Sequence, residues 1–292
     1  MGSQGRLLTV ERMCQLGEVS RAGFYRSLQE KAPRQEEIEV RAQIQALVLF
    51  HHHRYGSPRI TRALRNEGLV VNHKRVERIL REDNLLAMRH RKFVTTTDSQ
   101  HSHAVYLNLA KRMELTGINQ LWVADITYIR LREEFIFLAV ILDAFSRRAI
   151  GWALDRTLQS RIALHALHDA VSRRQPPAGV VHHSDRGVQY ACSEYIAALH
   201  AYGMQPSMSR PGCPYDNAMC ESFMKTLKQE ETYANEYRDL EDLKSHLEAF
   251  IDGYYNRLRL HSALDYCSPE RFEAQQTPVA DGEVRAARLL SF

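Results

Sequence analysis

The stretch that decides the fold is residues 122–143, which read Trp-Val-Ala-Asp-Ile-Thr-Tyr-Ile-Arg-Leu-Arg-Glu-Glu-Phe-Ile-Phe-Leu-Ala-Val-Ile-Leu-Asp. Apolar and polar side chains can alternate from Trp122 to Ile129, which is typical of a strand. The charged run Arg132-Glu133-Glu134 predicts a turn. Phe135–Asp143 is almost continuously apolar and has the length of a buried strand. Two strands joined by a hairpin are therefore expected here.

Strands and helices alternate downstream of this hairpin. Further strands are predicted at Ala149–Leu154, Val180–Ser184 and Gln205–Ser209. Helices are predicted over Ser160–Arg174, Ser193–Tyr202, Asn217–Thr232 and 239–260. Strands joined by hairpins and followed by alternating helix and strand predict an α/β fold, with a mixed five-stranded sheet flanked by helices.

The amino-terminal part carries two helix-turn-helix patterns. In residues 9–29, Gly17 ends a first helix and Ser20 can accept the N–H groups that open a second one. A longer helix is predicted from about Gln35 to His52. This part of the chain is therefore expected to be all-α.

The second pattern begins at Ser57-Pro58, a cap residue followed by proline at the first helical position. Asn72 caps the next helix, whose outer faces are rich in cations. Such a helix fits the major groove of DNA, where cations meet phosphates and base edges. The residues of this module that we predict to contact DNA are Arg59, Lys74, Arg75 and Arg78. An ordinary three-helix packing unit is the alternative interpretation.

Charge is distributed unevenly along the 292 residues, although the net charge is only +4. Residues 1–119 carry 20 basic and 12 acidic side chains, a balance of +8, whereas residues 120–292 carry 19 and 23, a balance of −4. This asymmetry favours a polyanion-binding module attached to a catalytic body. The first residues lack an apolar segment, and no apolar run approaches the roughly 20 residues of a membrane span. We expect a cytoplasmic protein that is nucleoid-associated when bound to DNA.

Carboxylates occupy positions that are hard to explain as solvated surface. Asp125 lies inside the first apolar strand, Asp143 ends the second, Asp185 follows the Val180–Ser184 strand, and Glu221 lies on a helix. Strand ends and a helix can bring such groups to one edge of a sheet, where a divalent cation relieves their repulsion. Oxygen ligands suit Mg²⁺ or Mn²⁺, and two ions serve in-line attack on a phosphodiester. A lone strand-end aspartate is more often a turn or cap residue, and Asp143 is interpreted that way.

Spacing distinguishes the other three carboxylates. There are 59 residues between Asp125 and Asp185, and 35 between Asp185 and Glu221. The chain resembles the DDE transposases and integrases with a retroviral-integrase-like core, and in particular the larger-frame (OrfB-type) transposases of bacterial insertion sequences. The motifs that carry the resemblance are Trp122-Val-Ala-Asp125-Ile-Thr-Tyr128, His183-Ser-Asp185-Arg-Gly-Val-Gln-Tyr190, Asp216-Asn217-Ala-Met-Cys-Glu221-Ser-Phe223 and Tyr255-Asn-Arg257-Leu-Arg259-Leu-His261.

The resemblance implies a ribonuclease-H-like core and a metal-dependent polynucleotidyl transferase with Asp125, Asp185 and Glu221 as its catalytic, metal-binding triad. Such an enzyme cuts element ends and joins the freed 3′-OH to a second DNA strand. Its expected partners are DNA, further copies of the same chain and a small upstream-frame protein. A ribonuclease-H-type nuclease that cuts without joining, and a non-enzymatic or decayed DNA-binding protein, are the alternatives.

Basic residues around the triad are candidate DNA contacts. Lys225 and Lys228 follow Glu221 at helical spacing, and the resemblance implies that Lys228 holds the DNA end. An i,i+4 salt bridge with Glu221 is the alternative role of Lys225. Arg257 and His261 share a helical face by the same spacing, with DNA phosphate or core packing as their expected surroundings.

The predicted organisation has five parts. They are a helix-turn-helix-like segment at 1–34, a second helix-turn-helix module at 35–83, a linker at 84–119, the catalytic core with its C-terminal helix at 120–275, and a tail at 276–292.

Overall fold

The computed structural model describes residues 9–28, 35–87, 106–132, 134–210 and 217–276. The chain divides into two compact units, Met1–Ala87 and Met88–Phe292. The predicted basic stretch at 89–92, the loop at 211–216 and residues 277–292 of the predicted tail lie outside the described residues. Within the described ranges, no helix is both long and apolar enough to cross a membrane.

The first unit is helical. Its helices are α1 Val10–Leu16, α2 Arg21–Leu28, α3 Gln35–Phe50, α4 Ser57–Asn66 and α5 His73–Glu82. The predicted caps Ser20 and Asn72 are confirmed, because Ser20 Oγ accepts the N–H of Gly23 at 3.0 Å and Asn72 Oδ1 accepts that of Lys74 at 2.9 Å. The predicted cap Ser57 is wrong, because it is the first residue of α4 and Gly56 occupies the cap position. Helices α3 to α5 enclose a small apolar core of Val40, Ile44, Leu47, Ile60, Leu64, Val76 and Ile79.

The second unit is built on a five-stranded sheet. Its strands are β1 Leu121–Arg130, β2 Phe135–Asp143, β3 Ala149–Asp155, β4 Val181–Ser184 and β5 Gln205–Met208. They lie in the order β3-β2-β1-β4-β5. Strands β1 to β3 pair antiparallel, whereas β4 pairs parallel with both β1 and β5. The predicted mixed sheet is therefore confirmed.

Helices surround this sheet. They are α6 Ser160–Arg174, α7 Val188–Ala191, α8 Ser193–Ala201, α9 Ala218–Leu227, α10 Leu240–Glu248 and α11 Pro269–Gln276. Wider π-helical turns extend α9 over Lys228–Thr232 and α10 over Ala249–Tyr255, and short 3₁₀ turns lie at Ala110–Arg112 and Ser262–Leu264. Helix α7 and helix α11 were not anticipated from the sequence.

Helix α6 packs on the sheet at unusually close range. A Cβ atom added to Gly151 of β3 would lie 2.5 Å from the carbonyl oxygen of Ala166 and from the backbone nitrogen of Ala170. Glycine is therefore needed at this position, because any side chain would push α6 away from β3. The apolar core between them includes Trp122, Ile141, Ile162 and Leu167.

The helix predicted over 239–260 is wrong in its last part. Its helical turns end at Tyr255, and the chain turns at residues 256–258. Asn256, the residue after these turns, has a buried side chain that accepts the N–H of Ala149 at 3.0 Å and donates to its carbonyl at 2.8 Å. These bonds pair the end of the helix with the edge strand β3, which is otherwise open on that side.

Candidate active site

Strand register brings the first two carboxylates together. Val123 of β1 pairs in parallel with His183 of β4. Continuing this register by two residues sets Asp125 opposite Asp185, which follows the last residue of β4. The two aspartates therefore lie side by side at one edge of the sheet.

Local hydrogen bonds orient both side chains. Asp125 Oδ1 accepts the N–H of Ile126 at 2.9 Å. Asp185 Oδ1 accepts the N–H of Gly187 at 2.9 Å, an Asx-type turn at the end of β4. Both side chains are half-buried.

Burial and neighbouring charges act in the same direction on Asp125. Burial raises its pKa to about 7, with further contributions from the negative charges of Asp185 and Glu221. The N–H of Ile126 and the ammonium of Lys228 oppose this shift. A pKa near neutrality favours the protonated form of Asp125 far more than in an ordinary aspartate, which is fully ionised at this pH.

Helix α9 carries Glu221 to this edge. The side chain of Asn217, directly before α9, donates through Nδ2 to the carbonyl of Ala124 at 3.0 Å. Ala124 immediately precedes Asp125, and Glu221 lies four residues, about one helical turn, beyond Asn217. Glu221 itself is exposed to solvent.

The donor set fits a hard divalent cation. The three side chains offer carboxylate oxygens, which Mg²⁺ and Mn²⁺ prefer. The raised pKa of Asp125 is the repulsion that a cation would relieve. Across the part of the chain that the structure describes, no group of three or more His, Cys, Asp or Glu side chains is close enough to enclose an ion. The strand register sets Asp125 opposite Asp185, and Glu221 is exposed to solvent. In the described residues the three carboxylates do not form a closed set of ligands.

Asp143 has the structural role expected of it. Its carboxylate accepts the N–H groups of Asn119 at 2.7 Å and of Phe145 and Ser146 at 3.0 Å. Arg174 also lies 3.6 Å from this carboxylate.

Lys228 lies close to the carboxylates. Its Nζ atom sits 5.0 Å from the centre of the Tyr128 ring on β1. Burial lowers the pKa of this ammonium, and the negative charge of Asp125 partly offsets the change. Lys225, one turn earlier on α9, is exposed. The predicted positions of these cations beside Glu221 thus agree with the helix, and their contact with DNA stays a prediction.

The closing motif differs from its prediction. Arg257 and His261 do not share a helical face, because the helix has ended at Tyr255 and His261 forms an isolated bridge with Cys267. His261 is buried with its ring edge-on to that of Tyr255, 4.7 Å between centroids. Arg257 is exposed and lies 3.5 Å from Glu270. His261 is therefore packed in the core, as one of the two alternatives expected, whereas Arg257 lies on the surface.

Two side chains near the site were missed by sequence reasoning. Arg259 is buried and donates to Glu230 at 2.8 and 2.7 Å, which braces the π-helical turns that carry Lys228. His183 is fully buried, and its ring nitrogens hydrogen-bond the hydroxyls of Ser207 and Ser209 at 2.8 and 3.0 Å. Those bonds tie β4 to the β5 segment beside Asp185. Both residues stand in motifs quoted above, but their partners are distant in sequence.

In the first unit, two of the predicted DNA contacts pair with helix α3. Arg75 donates to Glu36 at 2.7 Å and to Glu37 at 2.6 Å, and Arg78 donates to Glu37 at 2.8 Å. These bonds lower the pKa of Glu37, with Arg78 as the larger cause. Lys74, by contrast, is exposed. Arg59 lies over the ring of Tyr55, 5.6 Å from its centre.

Comparison with known proteins relates these features to a family. Residues 116–214 and 202–269 match the family described as integrase core domain, and residues 34–93 match the HTH-like domain. The chain is therefore an integrase-core protein of α/β class with an amino-terminal HTH-like module.

Similar proteins narrow this class. The transposase InsF of insertion sequence IS3A from Escherichia coli strain K12 is 36% identical over 270 residues, covering 91% of this chain and 94% of InsF. The transposase of insertion sequence element IS904 from Lactococcus lactis is 37% identical over 228 residues, covering 77% of this chain and 90% of that protein. The magnesium-bound catalytic core domain of HTLV-2 integrase in its trimeric form matches 54% of this chain and 98% of its own at 16% identity, with a TM-score of 0.42. The chain belongs to the family of insertion-sequence transposases that includes InsF, which confirms the resemblance seen in its motifs.

Proposed function

We propose that this transposase cuts the ends of its element and joins the freed 3′-OH to a second DNA strand, using Asp125, Asp185 and Glu221 as its metal-binding triad. The observation that carries the proposal is the strand register that sets Asp125 opposite Asp185, together with the hydrogen bond that ties the start of the Glu221 helix to Ala124. Asp185 and Glu221 both raise the pKa of Asp125 although they come from separate parts of the chain. Coupling of this kind is typical of a functional site.

The triad would hold Mg²⁺ or Mn²⁺, two ions in the reacting complex, which supply activation of the attacking oxygen and stabilisation of the leaving one. Asp125, Asp185 and Glu221 would hold the ions through their carboxylate oxygens. Because cutting and joining are both attacks by an oxygen on a phosphodiester, one site can serve both steps. No covalent link between protein and DNA is required.

Basic side chains are proposed to hold the DNA. Lys228 is near Asp125 and would bind the phosphates next to the cleaved bond. Lys225 on the surface of α9, and Arg257 on the surface beside Glu270, are proposed as further DNA contacts. In the first unit Lys74 and Arg59 are proposed as contacts to the element end. Joining two ends calls for at least two copies of the chain, so we propose an oligomer in the DNA complex. The bound protein would lie at the nucleoid.

A joining assay tests the proposal. Purified full chain is incubated with Mn²⁺ or Mg²⁺, a duplex carrying a labelled element end and an unlabelled circular target. The expected products are a nick at the 3′ end of the element and labelled strands covalently joined to the target. Nicks without joined strands would contradict the proposal and favour a nuclease of the same fold.

A further inference from the structure

Asn217 links the two elements that carry the first and third carboxylates. It stands directly before α9, at a position where asparagine usually caps a helix by accepting a backbone N–H. Here no such cap bond forms. Instead the Nδ2 group reaches a carbonyl 93 residues away, that of Ala124 on β1, at 3.0 Å. The side chain thus ties α9 to the strand and gives up its local role.

The position of this bond relates it to the site. Its acceptor belongs to the residue before Asp125, and its donor lies about one helical turn before Glu221. This side chain is therefore one hydrogen-bonded tie between the strand of one carboxylate and the helix of the other. Because Glu221 is exposed and the carboxylates do not yet enclose a common point, the distance between these two elements is the one an ion would depend on.

The surroundings of Asn217 are buried. The residue is 8% exposed, and its Oδ1 atom makes no hydrogen bond within the described ranges. The same holds for the hydroxyl of Tyr190, which is 3% exposed and lies five residues after Asp185. The buried thiol of Cys220 lies in the same region, because it interacts with Asn217, Asp125 and Asp185. The side chain of Asn217 is thus enclosed with Cys220 in a buried region beside Asp125 and Asp185.

We propose that Asn217 is a positioning residue for the metal site, holding α9 on β1 so that Glu221 reaches the ions bound by Asp125 and Asp185. This inference rests on the proposed function for the identity of the triad. Asn217 touches neither ion nor DNA in this scheme. It acts through the carboxylates, in the way that side chains supporting metal ligands commonly change metal affinity by about 10–100-fold.

The test compares Asn217→Ala with a matched variant, Asn256→Ala. Asn256 is also buried and also donates through Nδ2 to a backbone carbonyl, that of Ala149 at 2.8 Å, but this acceptor belongs to the edge strand β3 and not to β1, which carries Asp125. Both changes remove one buried asparagine bridge. Only the change at Asn217 is expected to alter metal binding.

The measurements on each full-length chain are Mn²⁺ affinity by electron paramagnetic resonance, the thermal midpoint, and the kcat and KM for cleavage of an element end. For Asn217→Ala the Kd for Mn²⁺ is expected to rise roughly tenfold or more. Its kcat is expected to fall about 10–100-fold, and its KM for DNA to stay within about twofold. Asn256→Ala is expected to lower the thermal midpoint while its Mn²⁺ affinity stays within about twofold of wild type.

Equal Mn²⁺ affinity in Asn217→Ala and wild type would overturn the inference, as would an equal loss of affinity in Asn256→Ala. Asn217→Leu keeps the volume of the side chain without its donor, so it must reproduce the metal defect even if the alanine variant folds poorly. Should wild type bind Mn²⁺ without cleaving, the proposed function fails, while the difference in affinity still decides the inference. A wild-type chain that binds no Mn²⁺ overturns both.

Discussion

Asp125 shows how the fold raises the pKa of a strand aspartate. Its strand β1 is central in the sheet, so its carboxylate is partly withdrawn from water. Parallel pairing with β4 then adds Asp185 as a neighbour of the same charge. Both effects favour the neutral acid, and the pKa rises to about 7. A bound divalent cation would reverse this preference.

The stability of the metal-free protein should therefore depend on pH. The pKa of Asp125 is higher in the folded chain than in the unfolded one, so its protonated form stabilises the fold below pH about 4 and that contribution is lost as pH rises to about 7. The expected loss is on the order of a few kcal/mol. Thermal midpoints measured in a chelator from pH 4 to 8 would report it, and added Mg²⁺ should restore stability most at the upper end.

Asp125→Asn provides the control for this pH dependence, because an amide does not titrate in that range. In the variant the fall in midpoint between pH 4 and 7 should be clearly smaller, and the effect of Mg²⁺ weaker. An unchanged pH profile in the variant would mean that another group is responsible.

At this scale the sequence predicts the carboxylates better than their supports. Asp125 and Asp185 adjoin apolar strands, and the 35-residue interval to Glu221 marks the family. Asn217 could not be assigned a role, because an asparagine before a helix looks like a cap and its actual acceptor is 93 residues away. Local patterns carry no information about such long-range bonds.

Among the secondary-structure elements, helix α5 shows two kinds of cation. Arg75 and Arg78 turn toward the acidic start of α3, whereas Lys74 is exposed. The sequence predicts all three as cations of one amphipathic helix. It cannot separate them, because their partners Glu36 and Glu37 belong to another helix.

Single substitutions should separate these roles. Arg75→Ala should lower the free energy of unfolding by about 0.5–1 kcal/mol, because it removes a multivalent ion pair that links two helices. Lys74→Ala should leave stability unchanged and reduce the salt dependence of duplex DNA binding by about one ion in the log–log slope. Thermal unfolding and fluorescence titrations at several salt concentrations measure both. An Arg75→Ala protein as stable as wild type would contradict the structural role.

The helix that begins at Leu240 is shorter than its sequence predicts. Its apolar pattern predicts a helix to residue 260, but the turns end at Tyr255. Asn256, which follows these turns, holds the end of the helix against β3 through two side-chain hydrogen bonds to Ala149. The helix thus ends earlier than its apolar pattern predicts, so Arg257 and His261 do not lie on one helical face.

The whole molecule joins a basic amino-terminal half to a near-neutral core. Residues 1–119 carry a balance of +8 in 20 basic and 12 acidic side chains, which suits DNA, while the carboxylates lie in the integrase-like unit. The mixed sheet and the helix-turn-helix patterns could be predicted because strand alternation and caps are local signals. Under the proposed function, the amino-terminal unit recognises DNA and the integrase-like unit carries out the reaction. The second of these roles depends on the proposed triad.

The most direct measurement of the central claim is single-turnover cleavage of a labelled element end in Mn²⁺ by Asp125→Asn, Asp185→Asn and Glu221→Gln. Asp155→Asn, which changes a carboxylate paired with Arg161 outside the site, is the matched control and should cleave like wild type. Each triad variant should bind the DNA end yet cleave it roughly 1,000-fold or more slowly, since loss of a metal ligand removes several kcal/mol of transition-state stabilisation. A folded triad variant that cleaves within threefold of the wild-type rate would contradict the account.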